Sequence, residues 1–402
     1  MSEHRPEVAD VIRSDLARFL KCYRPSREQY RVLNALADCR TAALGGHLKR
    51  CDNCSHEVVV YNSCRNRHCP KCQGAARAAW LEAREREVLD VEYFHVVFTV
   101  PHELASLALQ NRRSVYGILF RAASETLWTL GRDPKFLGAE LGCLAILHTW
   151  GQTLHAHPHL HCVIPGGGLS FDGERWLSCR DGFFLPVRVL GRLFRAKFLA
   201  HLHHAFERGR LHFHGRLREL EHPNDFEGLL ETLRHKDWVV YAKPPFGGPR
   251  QVLKYLARYT HRVAISNQRL LSVDNGKVSF RYKDYSQASR HRTMTLDAVE
   301  FLRRFLLHVL PKGFVRIRYY GFLANRNRSE KLQRVRALLG QAPLSSSAQL
   351  DLPASEDSTN EIPPFQTSEL CPACKKGRLI PLAPPIGAAG RRPRHAWTFD
   401  SS

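Results

Sequence analysis

Four histidines alternate along one stretch of the chain, TLHAHPHLHCVIP, and imidazoles are common metal ligands. They are His155, His157, His159 and His161. Alternate residues of a β-strand share one face, so a strand here would turn these imidazoles to one side and its apolar residues toward the core. His148 lies near the end of the preceding predicted strand and can join them. We predict a divalent cation with an open position for a phosphate, with structural zinc as the alternative.

Two tyrosines form a second candidate site within GPRQVLKYLARYTHRVAIS. Tyr255 and Tyr259 are four residues apart and share one face of a predicted helix. The basic residues beside them are Lys254, Arg258, His261 and Arg262. A tyrosine held on such a boundary can present its hydroxyl to a phosphate that arginine binds. Boundary tyrosines are also common on amphipathic helices, so the chemical role is favoured only together with the histidines and the charge.

Cysteine pairs near the start of the chain predict a zinc site. Cys51 and Cys54 form one CxxC pair, Cys69 and Cys72 form another, and 14 residues lie between the two pairs. Two such pairs on facing turns supply the four thiolates of tetrahedral zinc. Cys64 lies between them, as does His68, and either could replace a ligand or help to build a second site.

A further CxxC pair, Cys371 and Cys374, lies near the end of the chain without a second pair beside it. It could bind a metal together with His395, pair with cysteines of another chain, or have no function. We predict no metal there.

Net charge indicates the partner. The 402 residues contain 60 Lys and Arg against 38 Asp and Glu, which gives a net charge of +22. Such an excess favours a polyanion, because neutralised phosphates release their counterions. Nucleic acid is the favoured partner, over a membrane surface or a generically basic protein. No apolar run is long enough to span a bilayer, and no secretory signal is recognisable, so we expect a cytoplasmic location.

Predicted strands and hairpins must position these residues. The segments YFHVVFTVP, GCLAILHTWG and HPHLHCVIPGGG are typical of buried strands, and Asp172-Gly173 and Asn275-Gly276 mark hairpin turns. Helical patterns lie between them without regular βαβ alternation. The fold class is therefore α+β with an antiparallel sheet.

The pattern divides the chain into three parts. Residues 1–90 are predicted to form a helical and zinc-binding domain that is zinc-ribbon-like. Residues 91–340 are predicted to form the catalytic domain. Residues 341–402 are predicted to be a flexible linker and tail, because residues 341–370 hold five acids, no Lys or Arg, and many Ser and Pro.

As a set, these motifs resemble the rolling-circle insertion-sequence transposases of the HUH superfamily, in particular the ISCR-related group with a zinc-binding N-terminal domain. The resemblance covers about Cys39 to Tyr320. It rests on CRTAALGGHLKRCDNC, NSCRNRHCPKCQ, FHVVFTVPHEL, LHTWGQTLHAHPHLHCVIPGGG and YLARYTHRVAIS. It implies a sheet of about five antiparallel strands flanked by helices.

The resemblance also implies roles for the histidines. The His-hydrophobic-His motif of the family falls on His159-Leu160-His161, which would be the metal pair. His148 and His157 are the candidates for a third ligand, ahead of Gln152. The catalytic ion implied is Mg²⁺ or Mn²⁺.

The catalytic tyrosines of the family fall on Tyr255 and Tyr259, with Lys254, Arg258 and Arg262 as DNA contacts. The implied reaction is nicking and rejoining of single-stranded or extruded DNA through a 5′-phosphotyrosine. Alternatives are a replication initiator or relaxase of the same chemistry, a zinc-dependent DNA-binding protein without activity, and a nuclease that uses water. The oligomeric state stays open.

Overall fold

The structure, a computed structural model, describes residues 5–85, 87–243, 251, 263–285, 287, 290–343 and 370–386. Among these residues, no helix is both long enough and apolar enough to cross a membrane.

Strands and helices are interspersed along the described residues. The strands are β1 (Gly46–Cys51), β2 (Glu57–Tyr61), β3 (Tyr93–Thr99), β4 (Glu140–Trp150), β5 (Ala156–Pro165), β6 (Gly167–Leu169), β7 (Trp176–Ser178), β8 (Val240–Lys243), β9 (Leu270–Asp274), β10 (Lys277–Asp284), β11 (Arg290–Asp297), β12 (Ile317–Gly321) and β13 (Leu379–Ile386). The helices are α1 (Val8–Cys22), α2 (Arg27–Asp38), α3 (Pro70–Glu85), α4 (Ala105–Gln110), α5 (Arg112–Arg132), α6 (Val187–Glu207), α7 (Pro223–Arg234), α8 (Ala298–Leu306) and α9 (Arg328–Leu338). The fold class is α+β, as predicted.

The largest sheet contains five neighbouring antiparallel strands in the order β12-β4-β5-β3-β8. β6 pairs with the start of β4, and β7 pairs with β6, so the sheet continues beyond its first five strands. Almost every residue of β4 is buried, which fits its nearly continuous apolar sequence. The predicted antiparallel sheet of about five strands flanked by helices is confirmed.

One face of this sheet forms the main core. Leu160, Cys162 and Ile164 point into it, and the helices α4 to α7 cover it with their apolar residues. The predicted alternation along β5 is therefore correct for these residues: apolar side chains face the helices, and the intervening side chains face the other way.

The opposite face has two parts. Ile146 and Val163 pack against Leu332 and Val335 of α9. Farther along the same face, the apolar cover ends and the histidines of β4 and β5 begin. Because Ile146 is paired with His161 in the β4–β5 register, this histidine lies on the α9 side rather than in the main core.

A second sheet, β11-β10-β9, packs with the N-terminal helices. α1, α2 and α8 share one buried cluster with β9 and β10. The hairpin expected at Asn275-Gly276 is present, and both residues have positive φ, at 49° and 70°. The sequence pattern did not reveal β11, because this edge strand exposes six of its eight residues and carries mostly polar side chains.

The third sheet joins the two ends of the chain. Its order is β13-β1-β2, with both pairs antiparallel. The prediction of a flexible linker and tail over residues 341–402 was wrong for residues 370–386, because β13 pairs with β1. No strand signal is visible in the sequence here, because β13 contains three prolines, which is typical of a loop.

Candidate metal centres and active site

Three histidines of the central sheet converge on one point. His159 on β5 lies opposite His148 on β4, and His161 follows two residues later on the same face. One ligand atom from each imidazole lies within 4.8 Å of the others. Antiparallel pairing brings opposite side chains to within reach, so the strand register itself builds this group.

Hydrogen bonds fix the orientation of two of these rings. His159 Nδ1 lies 2.6 Å from the carbonyl oxygen of His157. A carbonyl can only accept, so Nδ1 carries the hydrogen, and Nε2 is the nitrogen of the neutral ring that has a lone pair for a metal. His161 Nδ1 lies 2.9 Å from Nε2 of His95 on β3. If His161 binds metal through Nε2, its Nδ1 donates to His95, the arrangement that usually holds a metal-binding histidine.

Burial differs across the group. His148 is 2% exposed and His161 is 7% exposed, whereas His159 is only half-buried. The His148 ring also stacks on Trp150, with centroids 4.7 Å apart. Among the described residues, no carboxylate joins the three imidazoles. The donor set fits a divalent cation, and the exposed side at His159 is where a further ligand could enter.

The other two histidines of the motif lie outside this group. Leu154 has a φ of +64°, so the extended strand starts only after it, and His155 bonds instead to the hydroxyl of Thr153 at 2.9 Å. His157 belongs to β5 but contributes its carbonyl oxygen rather than its imidazole. Of the two predicted third ligands, the structure brings His148 and not His157 into the group.

The predicted tyrosines and their basic neighbours, Tyr255, Tyr259, Lys254, Arg258 and Arg262, lie outside the described residues. The chain is described again from Val263. Val263 and Ala264 line a small cavity together with Thr149 and Trp150, the residues that follow His148. Val263 and Ala264, the first residues described after the tyrosines, therefore lie beside the end of β4.

His308 closes the same cavity from the end of α8. Its Nε2 lies 3.0 Å from the carbonyl oxygen of Leu154, and its Nδ1 lies 3.2 Å from the Thr149 hydroxyl. The carbonyl accepts from Nε2, so Nδ1 accepts from Thr149 and the ring is neutral. Burial lowers the pKa of His308 from 6.5 to about 4.

Four cysteines form a first thiol group, which we call the N-terminal cluster: Cys39, Cys64, Cys69 and Cys72. Cys39 Sγ lies 3.6 Å from the sulfurs of Cys69 and Cys72, and Cys64 Sγ lies 3.6 Å from that of Cys72. A hydrogen bond from Cys64 lowers the pKa of the Cys39 thiol to about 7. Cysteine binds zinc in its thiolate form, so these four cysteines are suited to a zinc site.

A second group of four, which we call the chain-end cluster, contains Cys51, Cys54, Cys371 and Cys374. The predicted zinc site of Cys51, Cys54, Cys69 and Cys72 was wrong as a single group. β1 ends at Cys51 and the chain returns along β2, so Cys69 and Cys72 come to the far end of the hairpin, beside Cys39. The expectation that Cys371 and Cys374 have no second pair beside them was also wrong, because Cys51 and Cys54 complete a group of four.

Three residues of these sites were absent from the sequence prediction or underrated. Cys39 stands alone, twelve residues before Cys51, so no CxxC pattern marked it. Cys64 was predicted only as a possible substitute for another ligand. His95 lies in the buried strand FHVVFTVP, where an isolated histidine among apolar residues was the available signal. His68 joins neither cluster. Burial lowers its pKa well below 6.5.

Two family models match separate parts of the chain. A family model described as "Transposase zinc-binding domain" matches residues 11–100. A second, described as "Putative transposase", matches residues 142–331. The first holds the whole N-terminal cluster, and the second holds the three converging histidines.

Two relatives match over most of their length. The chain is 52% identical over 402 residues to "Putative transposase y4qJ" of Sinorhizobium fredii, covering 99% of both proteins. It is 30% identical over 321 residues to "Transposase for insertion sequence element IS801" of Pseudomonas savastanoi pv. phaseolicola, covering 76% of this chain and 72% of that protein. No solved structure gives a significant match. The chain belongs to the family of insertion-sequence transposases that carry an IS91-type transposase zinc-binding domain.

Proposed function

We propose that this transposase nicks and rejoins single-stranded DNA at the ends of its element through a 5′-phosphotyrosine, with His148, His159 and His161 holding a divalent cation. The observation that carries the proposal is the convergence of these three imidazoles on one face of an antiparallel sheet. A group of neutral nitrogen donors with one solvent-facing side suits a cation that also binds substrate.

Hydrogen bonds within the protein orient the histidine rings at this centre. His95 lies against Nδ1 of His161, and the carbonyl of His157 lies against Nδ1 of His159, so Nε2 is the atom of each ring that would bind the cation. A divalent cation bound there would polarise the scissile phosphate and neutralise the charge that develops on it. Nitrogen donors bind transition ions more readily than Mg²⁺, so we expect Mn²⁺ to act at lower concentration than Mg²⁺.

Tyr255 and Tyr259 are the proposed nucleophiles. Chain connectivity is compatible with this role, because Val263 lines a cavity with Thr149 and Trp150 of β4 and follows Tyr259 by only four residues. A free tyrosine titrates near 10, so the hydroxyl must lose its proton as it attacks. The new Oη–P bond replaces the P–O3′ bond, and the 3′ oxygen takes up a proton.

The covalent intermediate explains how strands could be exchanged without ATP, since the phosphotyrosine keeps the energy of the broken bond for rejoining. A second tyrosine can attack another strand while the first still holds DNA, as rolling-circle transposition requires. Lys254, Arg258 and Arg262 are the proposed phosphate contacts. The net charge of +22 supports a DNA partner for them.

The test uses the purified full chain and labelled single-stranded oligonucleotides from the ends of its own element. The protein is incubated with Mn²⁺ or Mg²⁺, and a denaturing gel is scored for a covalent protein–DNA band. We expect the band in the wild type and in Tyr23→Phe, a matched control at an exposed tyrosine at the end of α1. The band should disappear on chelation and in the Tyr255→Phe/Tyr259→Phe double variant.

Two results would contradict the proposal. Cleavage without a covalent band would identify water as the nucleophile. Binding without any cleavage of verified end sequences would leave a DNA-binding protein rather than a strand transferase.

A further inference from the structure

We propose that the chain-end cluster is a second zinc site, formed by Cys51 and Cys54 from the start of the chain and Cys371 and Cys374 from its end. The ion would fasten β13 to the zinc-binding hairpin β1–β2. Cys371 and Cys374 lie outside both matched family regions, 11–100 and 142–331. The N-terminal cluster is complete without any of these four residues.

Sulfur–sulfur distances in this cluster match a metal and not a disulfide. Cys51 Sγ lies 3.7 Å from Cys374 Sγ, and Cys54 Sγ lies 3.6 Å from Cys371 Sγ. Four sulfurs at the usual Zn–S distance of 2.3 Å form a tetrahedron with edges of about 3.8 Å. A disulfide would need about 2.05 Å between its sulfurs. All four sulfurs lie within 4.8 Å of one another.

The two CxxC turns have the same backbone geometry. Ser55 and Lys375, each directly after the second cysteine of its pair, have φ of +56° and +55°. Their N–H groups donate to the carbonyls of Cys51 and Cys371, at 3.1 and 2.9 Å. Two facing turns of one kind are the usual way in which a zinc ribbon presents four thiolates.

Backbone N–H groups also point at the sulfurs. The N–H groups of Asn53 and Cys54 donate to Cys51 Sγ at 3.4 and 3.5 Å. On the other turn, the N–H of Gly377 donates to Cys374 Sγ at 3.3 Å. Such donors stabilise sulfur as thiolate, the form that binds zinc.

The turns are interlocked at Gly377. A Cβ on this residue would lie 2.5 Å from Cys51 Sγ and from the side chains of Asp52 and Asn53, so only glycine permits the approach. Asp52 Oδ1 accepts from the N–H of Arg378 at 2.7 Å, and the Asp52 N–H donates to the carbonyl of Arg378 at 3.0 Å. The two ends of the chain therefore meet in a specific contact rather than by chance proximity.

Zinc at this point would complete a small sheet. An isolated two-stranded hairpin such as β1–β2 is marginally stable, whereas a third strand and a bound ion make it rigid. The N-terminal cluster lies at one end of the hairpin, near Gly46 and Tyr61, and the chain-end cluster lies at the other, at Cys51. The ion would thus hold the chain's last described strand to the domain that precedes the catalytic sheet.

The first test measures zinc in the purified full chain by mass spectrometry after dialysis against metal-free buffer. We expect Cys51→Ser/Cys54→Ser and Cys371→Ser/Cys374→Ser each to lose one zinc per chain relative to the wild type. The quadruple variant should lose no more than either double variant, because all four residues hold one ion. Cys22→Ser, at an exposed cysteine outside both clusters, is the control and should lose none. Unchanged zinc in the Cys371→Ser/Cys374→Ser variant, or an additive loss of two ions in the quadruple variant, would overturn the proposal.

The second test needs no variants. It follows alkylation of the wild-type cysteines by peptide mass spectrometry, so misfolding of a variant does not affect the result. Cys54 and Cys22 are both exposed, so burial alone predicts similar reaction rates. We expect Cys54 and Cys374 to react at least 10-fold more slowly than Cys22 while zinc is bound, and to be released together by a chelator. Equal rates of Cys54 and Cys22 in the zinc-loaded protein would overturn the site.

Discussion

At the scale of single residues, the histidine motif divides into ligands and supports. His148, His159 and His161 offer imidazole nitrogens to one point, whereas His157 contributes a backbone carbonyl. Histidines that look equivalent in the sequence therefore have different roles in the structure. Strand register decides which of them meet, because it sets which side chains lie opposite one another.

Removal of a ligand and removal of a support should be distinguishable. We expect His148→Ala and His161→Ala to lower the rate of covalent adduct formation at least about 100-fold, more than the roughly 10- to 100-fold loss typical of residues that only orient ligands. His157→Ala should stay near the wild-type rate, because its carbonyl remains. Single-turnover adduct assays at fixed Mn²⁺ measure these rates, and a His157→Ala rate as low as that of His161→Ala would refute the division.

His95 is expected to be a positioning residue. Its Nε2 faces His161 Nδ1 at 2.9 Å, so its loss should weaken cation binding without removing a ligand. We expect His95→Phe to raise the Mn²⁺ concentration for half-maximal adduct formation about 10- to 100-fold. His95→Gln, whose amide oxygen can accept the same hydrogen, should recover part of that loss. A change in maximal rate at saturating Mn²⁺ with no change in metal dependence would show a merely structural role.

At the scale of elements, the neutral ring of His308, two residues after α8, links Thr149 at the end of β4 to Leu154 before β5. Burial depresses the pKa of this ring from 6.5 to about 4, so the folded protein binds fewer protons than the unfolded chain between these values. The stabilising effect is complete above pH 6.5 and is lost as the pH falls from 6.5 toward 4.

This linkage predicts a specific pH dependence. The shift corresponds to roughly 3 kcal/mol of stability lost from His308 over that window. We expect His308→Gln, which keeps a donor for the Leu154 carbonyl, to be less stable than the wild type at pH 7 but to lose less on acidification. Thermal unfolding midpoints at pH 7.0, 6.0 and 5.0 measure the difference, and parallel curves for the two proteins would contradict it.

The element scale also shows which strands a sequence can reveal. β4 and β5 are long, apolar and buried, so their composition marked them and their alternation placed the histidines. β11 and β13 gave no such signal. One is an exposed edge strand, and the other is rich in proline, yet both are formed because a neighbouring strand offers them hydrogen bonds.

At the scale of the whole molecule, the charge of +22 should govern DNA binding. Each neutralised phosphate of single-stranded DNA contributes about −0.7 to the slope of log affinity against log salt. If the protein contacts about four phosphates, affinity should fall roughly 50-fold between 50 and 200 mM salt. Fluorescence anisotropy with a labelled oligonucleotide measures this slope. Affinity that is independent of salt would contradict a phosphate-dominated interface.

The sequence by itself determined the chemistry available to this protein. Residue types and short spacings predicted a histidine metal site, cysteine zinc binding, a DNA partner and an antiparallel α+β fold, because these depend on periodicity and composition within a few turns of chain. The assignment of Tyr255 and Tyr259 also rests on the sequence and stays a prediction.

Tertiary structure alone decided which residues share a site. Cys51 meets Cys371 across 320 residues, Cys39 completes the other cluster, and His95 supports His161 from the neighbouring strand. None of these contacts follows from local spacing. They arise because strand pairing and hairpin direction bring distant segments together, and pairing of that kind depends on the register and order of whole strands rather than on any single motif.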